Sequence, residues 1–274
     1  MPSSGWYVVR EGEGTPVVLL HAGAGSSIQW TGFQQLLGEG YRTVAPDLPS
    51  HGKTPEPPGV SADNVVALLA DGVAALAAAE REPVHLIGHS WGAILALSVA
   101  MTHPELLASV TLVEPVCFDA LRLAGRLDLY AVARDEAVAL AALTAVGDHE
   151  RAIRLLLRQW GFGIWDVLSE RQQRALVRSA PAVIGYGLLG GLRWQVTREA
   201  LRAVRVPTLV VYGDEGPTAC APIAQLLARE IPGARGECIA GAGHMLPLTD
   251  AERFVPLVRG HIERVGQRGT RHTG

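Results

Sequence analysis

Cysteine is scarce in this chain, and signals for secretion and membrane insertion are missing. Three cysteines in 274 residues, Cys117, Cys220 and Cys238, are too few and too widely spaced for a disulfide framework or a zinc site. Residues 1–5 lack a basic region and an apolar run, and no uninterrupted apolar stretch reaches membrane-spanning length. These absences predict a cytoplasmic protein with no membrane partner.

An excess of basic charge is also absent. The formal net charge is −3, which gives no reason to expect nucleic acid as a partner. Gly23 and Gly25 are not followed by a Gly-Lys-Ser/Thr motif or a full dinucleotide fingerprint. His85 and His89 are four residues apart, but on a strand and turn rather than on one helix face. We therefore expect a small-molecule substrate without a cofactor or metal, and the oligomeric state stays open.

Hydrophobic residues, by contrast, are plentiful. They make up 48% of the chain, enough for a large core. Short apolar runs alternate with longer helical patterns up to residue 115 and again from residue 206, which predicts a mainly parallel α/β sheet. Residues 116–205 lack strand-like runs and are rich in Ala, Leu and Arg at helical spacing. We expect a core of residues 1–115 and 206–266, a helical cap of residues 116–205, and a disordered tail at 267–274.

One short motif carries the most chemical information. The apolar run Val84–Ile87 leads into Gly88-His89-Ser90-Trp91-Gly92, and an apolar helical pattern follows. A serine on a sharp strand-to-helix turn exposes its hydroxyl beside the unpaired N–H groups of the helix start. Ser90 is therefore a candidate nucleophile.

Three further motifs occur in a fixed order around this one. His21-Ala22-Gly23-Ala24-Gly25 follows an apolar strand, Asp47-Leu48-Pro49-Ser50-His51-Gly52 follows the next, and Gly241-Ala242-Gly243-His244 comes late in the chain. With these four motifs the chain resembles a capped serine hydrolase of the α/β-hydrolase superfamily, of the esterase or lactonase kind. The resemblance implies a mainly parallel, twisted sheet of about eight strands flanked by helices, with a helical cap inserted after the sixth strand.

The resemblance also implies roles for individual residues. His244 would accept the proton of Ser90, because a serine hydroxyl needs an adjacent base at neutral pH. The backbone N–H groups of Trp91 and Gly23 would form the oxyanion hole. Asp47 and His51 would hold their loop together.

The acid of the triad departs from the common pattern of the family. In many members it lies three residues after the glycine that ends the strand following the cap, and this chain has Gly216 there. Asp214 and Glu215 are close by. Glu114, at the end of the strand after the nucleophile helix, is the alternative that we favour, because a buried strand seldom ends in a glutamate without a partner.

The substrate pocket is predicted from the motif loops and from the aromatic residues of the cap. The candidates are His21, Ala22, Ala24, Phe118, Trp160, Trp165, Tyr186 and Met245. The favoured function is hydrolysis of an ester, thioester or lactone of a small, largely apolar substrate through an acyl-enzyme on Ser90. Acyl transfer, carbon–carbon hydrolysis and a lyase or cyclase step are alternatives with the same triad. A ligand-binding protein without turnover is a third reading.

Overall fold

Seven strands form one sheet in the computed structural model, which describes residues 5–160 and 165–270. The order across the sheet is β1-β3-β2-β4-β5-β6-β7, and β1 alone is antiparallel to its neighbour. The strands are β1 (Val8–Glu11), β2 (Thr15–Leu20), β3 (Tyr41–Pro46), β4 (Val84–His89), β5 (Leu107–Val113), β6 (Thr208–Gly213) and β7 (Arg235–Ile239).

Helices cover both faces of this sheet, as its near-continuous apolar strands require. Along β2, Val17 and Leu19 point into one core while Val18 and Leu20 point into the other. The helices are α1 (Thr31–Leu37), α2 (Val65–Ala78), α3 (Trp91–Thr102), α4 (Asp119–Leu123), α5 (Leu127–Ala145), α6 (His149–Gln159), α7 (Glu170–Ala180), α8 (Leu189–Arg193), α9 (Arg198–Ala203), α10 (Cys220–Glu230), α11 (Leu246–Thr249) and α12 (Ala251–Thr270). Helices α1 and α12 pack on one face, and α2, α3 and α10 pack on the other.

Helices α4 to α9 lie between β5 and β6, with a small core of their own that includes Leu140, Ile153 and Ile184. Between α7 and α8 the chain runs as a π-helix over Pro181–Leu188. Pro181 has no N–H and its ring clashes with the preceding turn, which accounts for the altered hydrogen bonding there. The division into core and cap at residues 116 and 205 remains a prediction.

Some elements differ from the sequence-based expectation. The described part of the chain has one strand before β2, so the sheet has seven strands and the helical segment follows the fifth strand rather than the sixth. Serine commonly caps a helix, which predicts a helix start at Ser61, but Ser61 begins a turn, donates its N–H to Asn64 Oδ1, and α2 begins at Val65. The last helix continues to Thr270, past the expected start of the tail at Gln267. Residues 1–4, 161–164 (with the cap residue Phe162) and 271–274 lie outside the described residues.

One continuous helical stretch, Glu170–Arg193, is long and apolar enough by length and composition to cross a membrane. No such stretch is expected from the sequence, in which no uninterrupted apolar run reaches that length. Its apolar second half has a different explanation in this fold, since it packs against the sheet domain. A Cβ on Gly191 would lie 3.1 Å from Ile94 Cδ1, and one on Gly190 would meet the side chain of Val65.

Candidate active site

Ser90 stands between β4 and α3 with φ 55° and ψ −111°, a conformation that few non-glycine residues adopt. Its N–H donates to Val113 O at 2.9 Å, which fixes the turn to the end of β5. The two flanking glycines allow the close approach. A Cβ on Gly88 would lie 2.2 Å from Gly92 O, and a Cβ on Gly92 would lie 2.4 Å from Leu20 O. The turn therefore requires glycine at both positions.

Ser90, His244 and Glu114 form one hydrogen-bonded chain. His244 Nε2 lies 3.0 Å from Ser90 Oγ, and His244 Nδ1 lies 3.0 Å from Glu114 Oε2. Because an ionised carboxylate only accepts, the ring proton belongs on Nδ1, and Nε2 is left to accept the serine proton. All three residues are buried, with 8%, 4% and 0% of their surface exposed. This is the geometry of a serine activated by a general base.

Glu114 is fixed from three sides. Its Oε1 accepts the N–H of Gly213 at 2.7 Å, and its own N–H donates to Val211 O at 2.8 Å. Its Oε2 contacts His244, as described above. Strand β6 therefore holds the carboxylate at the carboxyl end of β5, where it reaches the histidine loop.

The two alternative acids are placed elsewhere. Asp214 Oδ1 accepts the N–H of Gly241 at 2.6 Å, and Glu215 donates its N–H to Ala242 O, so both tie the β6 loop to the histidine loop. A Cβ on Gly216 would lie 3.1 Å from Glu114 Oε2. Glu114 thus fills the space that a side chain at residue 216 would enter, which accounts for glycine there.

Cys220 lies beside the same carboxylate. Its Sγ is 3.7 Å from His244 Nδ1, and burial together with the charge of Glu114 raises the pKa of the thiol well above its usual value. Among the described residues, Glu114, Cys220 and His244 form a group whose ligand atoms lie within 4.8 Å of one another. In this group, His244 Nδ1 and Glu114 Oε2 already share the hydrogen bond of the triad, so both ligand atoms are engaged with each other.

Trp91 and Gly23 both line the cavity beside Ser90. Trp91 is the first residue of α3, and the first N–H groups of a helix have no acceptor within it. The N–H of Ala22 already donates to Gln29 Oε1 at 3.1 Å, so Gly23 is the first residue of this loop that lies beyond that bond. A Cβ on Gly23 would lie 3.9 Å from Trp91 Cβ, which makes the two residues neighbours. Their assignment as the oxyanion hole stays a prediction.

Backbone strain gathers around this site. Among the described residues, four non-glycine residues have positive φ: Ala24 at 62°, Ser50 at 66°, Ser90 at 55° and Glu114 at 47°. Each follows the carboxyl end of a strand, β2, β3, β4 and β5 in turn. Strained residues persist where the surrounding structure holds them, and they cluster at functional sites.

A cavity opens above Ser90. Among the described residues of its wall there is no lysine, arginine, aspartate or glutamate. Trp160 covers His244, with ring centroids 4.9 Å apart, and meets Phe118 edge-on. The lining residues are Ala22, Gly23, Ala24, His51, Ser90, Trp91, Ile94, Val116, Phe118, Leu156, Leu157, Trp160, Val183, Gly187, Leu188, Gly191 and His244.

Comparison with known proteins agrees with this architecture. The profile of the alpha/beta hydrolase family matches residues 17–257. The chain belongs to the alpha/beta hydrolase family. A pimeloyl-[acyl-carrier protein] methyl ester esterase of Methylococcus capsulatus is 30% identical over 94% of this chain and 98% of its own length. The enzyme of the same name from Aeromonas salmonicida is 28% identical over 92% of this chain and 97% of its own length.

Solved structures show the same fold. A thermophilic esterase from Thermogutta terrifontis superposes with a TM-score of 0.70 at 22% identity, covering 95% of this chain and 93% of its own. An esterase from Exiguobacterium antarcticum superposes with a TM-score of 0.69 at 20% identity, covering 94% and 95%.

Of the pocket residues predicted from the sequence, four line the cavity of this hydrolase: Ala22, Ala24, Phe118 and Trp160. The other four do not. His21 is buried beneath the loop, where its Nε2 accepts the N–H of Leu48 and its Nδ1 donates to Ala22 O. Burial, with the neighbouring His51, lowers the pKa of His21 to about 3.

The remaining three, Trp165, Tyr186 and Met245, lie outside the cavity, each in a different place. The Trp165 ring turns toward an outer hollow, with Arg154 stacked over it at 5.3 Å. Tyr186 donates its hydroxyl to Glu56 and lines a neighbouring small hollow. Met245 directly precedes α11 and is not part of the cavity wall.

Asp47 holds its loop in place through hydrogen bonds to backbone N–H groups, as the sequence predicts. Asp47 accepts the N–H groups of Ser27 at 2.7 Å and Lys53 at 2.8 Å, one with each carboxylate oxygen, and so ties two loops together. Sequence reasoning missed Gln29 and Cys220. Neither belongs to a recognisable motif, and both reach the site only through the packing of α10 and of the turn before α1.

Proposed function

We propose that this protein is a serine hydrolase of carboxylic esters, with Ser90 as nucleophile, His244 as general base and acid, and Glu114 as the orienting carboxylate. The observation that carries the proposal is the buried chain of 3.0 Å hydrogen bonds from Ser90 Oγ through the imidazole to Glu114. The esterase names of relatives that match over more than nine-tenths of the chain support the reaction class.

The steps follow from the positions of the atoms. Ser90 Oγ attacks the ester carbonyl as its proton passes to His244 Nε2, and the new oxyanion binds the N–H groups of Gly23 and Trp91. Nε2–H then protonates the departing alcohol, which leaves the acyl group on Ser90. A water molecule then gives a proton to the same nitrogen and attacks the acyl carbonyl. The bond to Ser90 Oγ breaks as Nε2–H returns the proton to that oxygen, and the acid is released. Glu114 holds Nδ1–H throughout and stabilises the imidazolium.

The cavity wall supports a substrate class. Its described lining residues are apolar apart from the catalytic groups and His51, and none of them carries a charged side chain that would pair with a substrate carboxylate or phosphate. We therefore infer a small, largely apolar and uncharged acyl or alcohol part. The cytoplasmic location expected from the sequence and the absence of a nucleic-acid or membrane partner remain predictions.

The experiment that tests the proposal is intact-mass analysis after exposure to a fluorophosphonate probe, on wild type and Ser90→Ala. We expect one adduct on wild type and none on the variant. A folded wild type that takes up no adduct would contradict the proposal and favour a binding protein. Hydrolysis of p-nitrophenyl butyrate in oxygen-18 water separates hydrolysis from acyl transfer, because only hydrolysis places the label in the free acid.

A further inference from the structure

The side chain of His51 offers an unused hydrogen-bond acceptor at the wall of the substrate cavity. His51 Nδ1 lies 2.9 Å from Pro49 O, and a carbonyl only accepts, so the ring proton is on Nδ1. Nε2 then carries a lone pair, and within the described residues this buried atom has no hydrogen-bond partner. Burial lowers the pKa of His51, which keeps the ring neutral and Nε2 an acceptor.

His51 meets the His21 ring edge-on at 5.2 Å and lies near Asp47, and the two hollows that it borders are lined mainly by apolar residues. The ring belongs to the wall of the main cavity and to that of a smaller hollow, which shares Trp91 and Gly187 with it. Buried acceptors in native proteins are nearly always paired. An unpaired one beside a ligand cavity points to a partner on the ligand.

We propose that His51 Nε2 recognises a hydrogen-bond donor, a hydroxyl or an amide N–H, on an otherwise apolar ester substrate. The inference rests on the proposed ester hydrolysis and narrows its substrate class. A buried acceptor favours a ligand that supplies its missing donor over the analogue that lacks that donor.

The test compares p-nitrophenyl phenylacetate with its ortho-, meta- and para-hydroxylated counterparts. In wild type, at least one hydroxylated ester should exceed the parent in kcat/KM by about tenfold, the value of one added hydrogen bond. His51→Leu should bring that ratio close to one. His51→Gln, which keeps an acceptor, should preserve part of the preference.

Two results would overturn the inference. One is a wild type that hydrolyses the parent ester and prefers none of the hydroxylated esters. The other is a preference that is equal in wild type and in His51→Leu. Failure of the proposed function looks different, because then wild type neither hydrolyses any of the four esters nor reacts with the fluorophosphonate.

A second, independent observation concerns Gln29 and His89. Gln29 Oε1 accepts the N–H of Ala22, so its amide nitrogen is the group that lies 3.0 Å from His89 Nδ1. His89 Nδ1 must then accept, which places the ring proton on Nε2, 2.8 Å from the carbonyl oxygen of His244. Only this orientation of the Gln29 amide and this position of the His89 ring proton give every donor in the hydrogen-bonded series an acceptor. Gln29 and His89 are 7% and 0% exposed.

We infer that Gln29 and His89 are positioning residues for the reaction, since they join the oxyanion loop to the loop of the catalytic histidine. Neither touches the reacting atoms. The His89 ring also lies against the His244 ring, with centroids 5.1 Å apart. The tether therefore sets the backbone of His244 relative to Gly23, the two groups that must act on the same carbonyl.

The test uses His89→Leu, His89→Gln and Gln29→Met, with kcat, KM and the unfolding temperature measured for each. An amide supplies one acceptor and one donor, as neutral imidazole does, so His89→Gln should recover much of the activity. In His89→Leu and Gln29→Met, kcat for p-nitrophenyl butyrate should fall about 10- to 100-fold with little change in KM, the effect of a small misplacement of catalytic groups.

A structural role alone predicts a different pattern. The unfolding temperature would then fall in Gln29→Met, while kcat measured well below that temperature would stay at the wild-type value. That result, or equal losses of kcat in His89→Gln and His89→Leu, would overturn the inference. Fluorophosphonate labelling of wild type, done in parallel, shows separately whether the proposed function stands.

Discussion

Glu114 holds its carboxylate on a backbone with φ 47°, a conformation that costs a non-glycine residue roughly 1–3 kcal/mol. The hydrogen bonds to Gly213 and His244 stabilise it in that position. In the proposed mechanism, Glu114 determines which ring nitrogen of His244 carries the proton, and replacing its carboxylate tests that role.

Glu114→Gln should lower kcat for p-nitrophenyl butyrate on the order of 10⁴-fold, because an amide no longer fixes the proton on Nδ1 and Nε2 loses its role as base. Asp214→Asn and Glu215→Gln are the matched controls. We expect each to stay within about threefold of wild type, since neither carboxylate is needed at His244. A large loss in Asp214→Asn with a small one in Glu114→Gln would assign the acid to the β6 loop.

A carboxylate on residue 216 would enter the space that the side chain of Glu114 occupies. Glu114→Ala removes the carboxylate and vacates the position next to which a Gly216 side chain would lie. Adding Gly216→Asp to Glu114→Ala should raise kcat at least about tenfold over the single variant, because the new carboxylate approaches the same histidine. Gly216→Asp alone should lower kcat, since two carboxylates would then compete for one space. If the double variant is no more active than Glu114→Ala, the loop does not aim residue 216 at His244.

For single residues, the sequence predicts a role where a reactive residue type lies within a recognisable motif. Ser90 and His244 are predictable because their loops carry glycine patterns that few other turns need. Glu114 is predicted from two signals together, the glycine at residue 216 and the rarity of an unpartnered glutamate at the end of a buried strand. The tether through Gln29 is not predictable, because a single amide in a turn has no pattern and its partners come from a strand end and a distant loop.

At the scale of elements, the helical stretch Glu170–Arg193 forms one side of the cavity. Its π-helical part and the start of α8 supply Val183, Gly187, Leu188 and Gly191 to the wall. Glycines in a helix interior cost stability, so their presence here is explained by the space they leave. A side chain at residue 187 should therefore reduce the length of the acyl chain that the cavity accepts.

Gly187→Val should lower kcat/KM for p-nitrophenyl hexanoate about tenfold relative to the acetate ester, because the added methyl groups take the place of substrate methylenes. Gly185→Val is the matched control, since residue 185 lies in the same π-helix but does not line the cavity. We expect it to leave the hexanoate-to-acetate ratio as in wild type. The same shift in both variants would mean that the effect comes from the helix and not from the cavity wall.

The sequence predicts elements best where burial on both faces leaves a continuous apolar run, as in β2 and β4. Trp165, Tyr186 and Met245 show where it fails. The positions of Trp165 and Tyr186 depend on how the helical turns that carry them are rotated about their axes, which the sequence does not show. Met245 lies outside the cap, directly before α11. Tertiary packing, not local pattern, decides which of them meets the substrate.

At the scale of the whole molecule, buried histidines link folding to pH. Burial lowers the pKa of His21 to about 3 and that of His85 to about 4, and it lowers the pKa values of His51 and His89 as well. The unfolded chain takes up these protons near pH 6.5, while the folded protein does not. Protons therefore favour the unfolded state, and stability is lost as the pH falls below that value.

Urea unfolding at pH 7.5, 6.5 and 5.5 measures this effect. Below pH 6.5 the free energy of unfolding should fall, with each such histidine adding up to about 1.4 kcal/mol per pH unit. His85→Gln should make the fall shallower, because His85 lies against Ser109, away from the catalytic groups. A free energy of unfolding that does not change from pH 7.5 to pH 5.5 would contradict the prediction.

The position of Glu114 also has a consequence for how such a chain can change over time. The nucleophile and its acid lie on the neighbouring strands β4 and β5, so both precede the whole run of helices from α4 to α9. That run supplies Leu156, Leu157 and Trp160 to the cavity wall, and a change in its length leaves the spacing of Ser90 and Glu114 along the chain unaltered. Of the three proposed catalytic residues, His244 alone follows the run. The helical part of the cavity wall and the pair of Ser90 and Glu114 thus occupy separate segments of this chain.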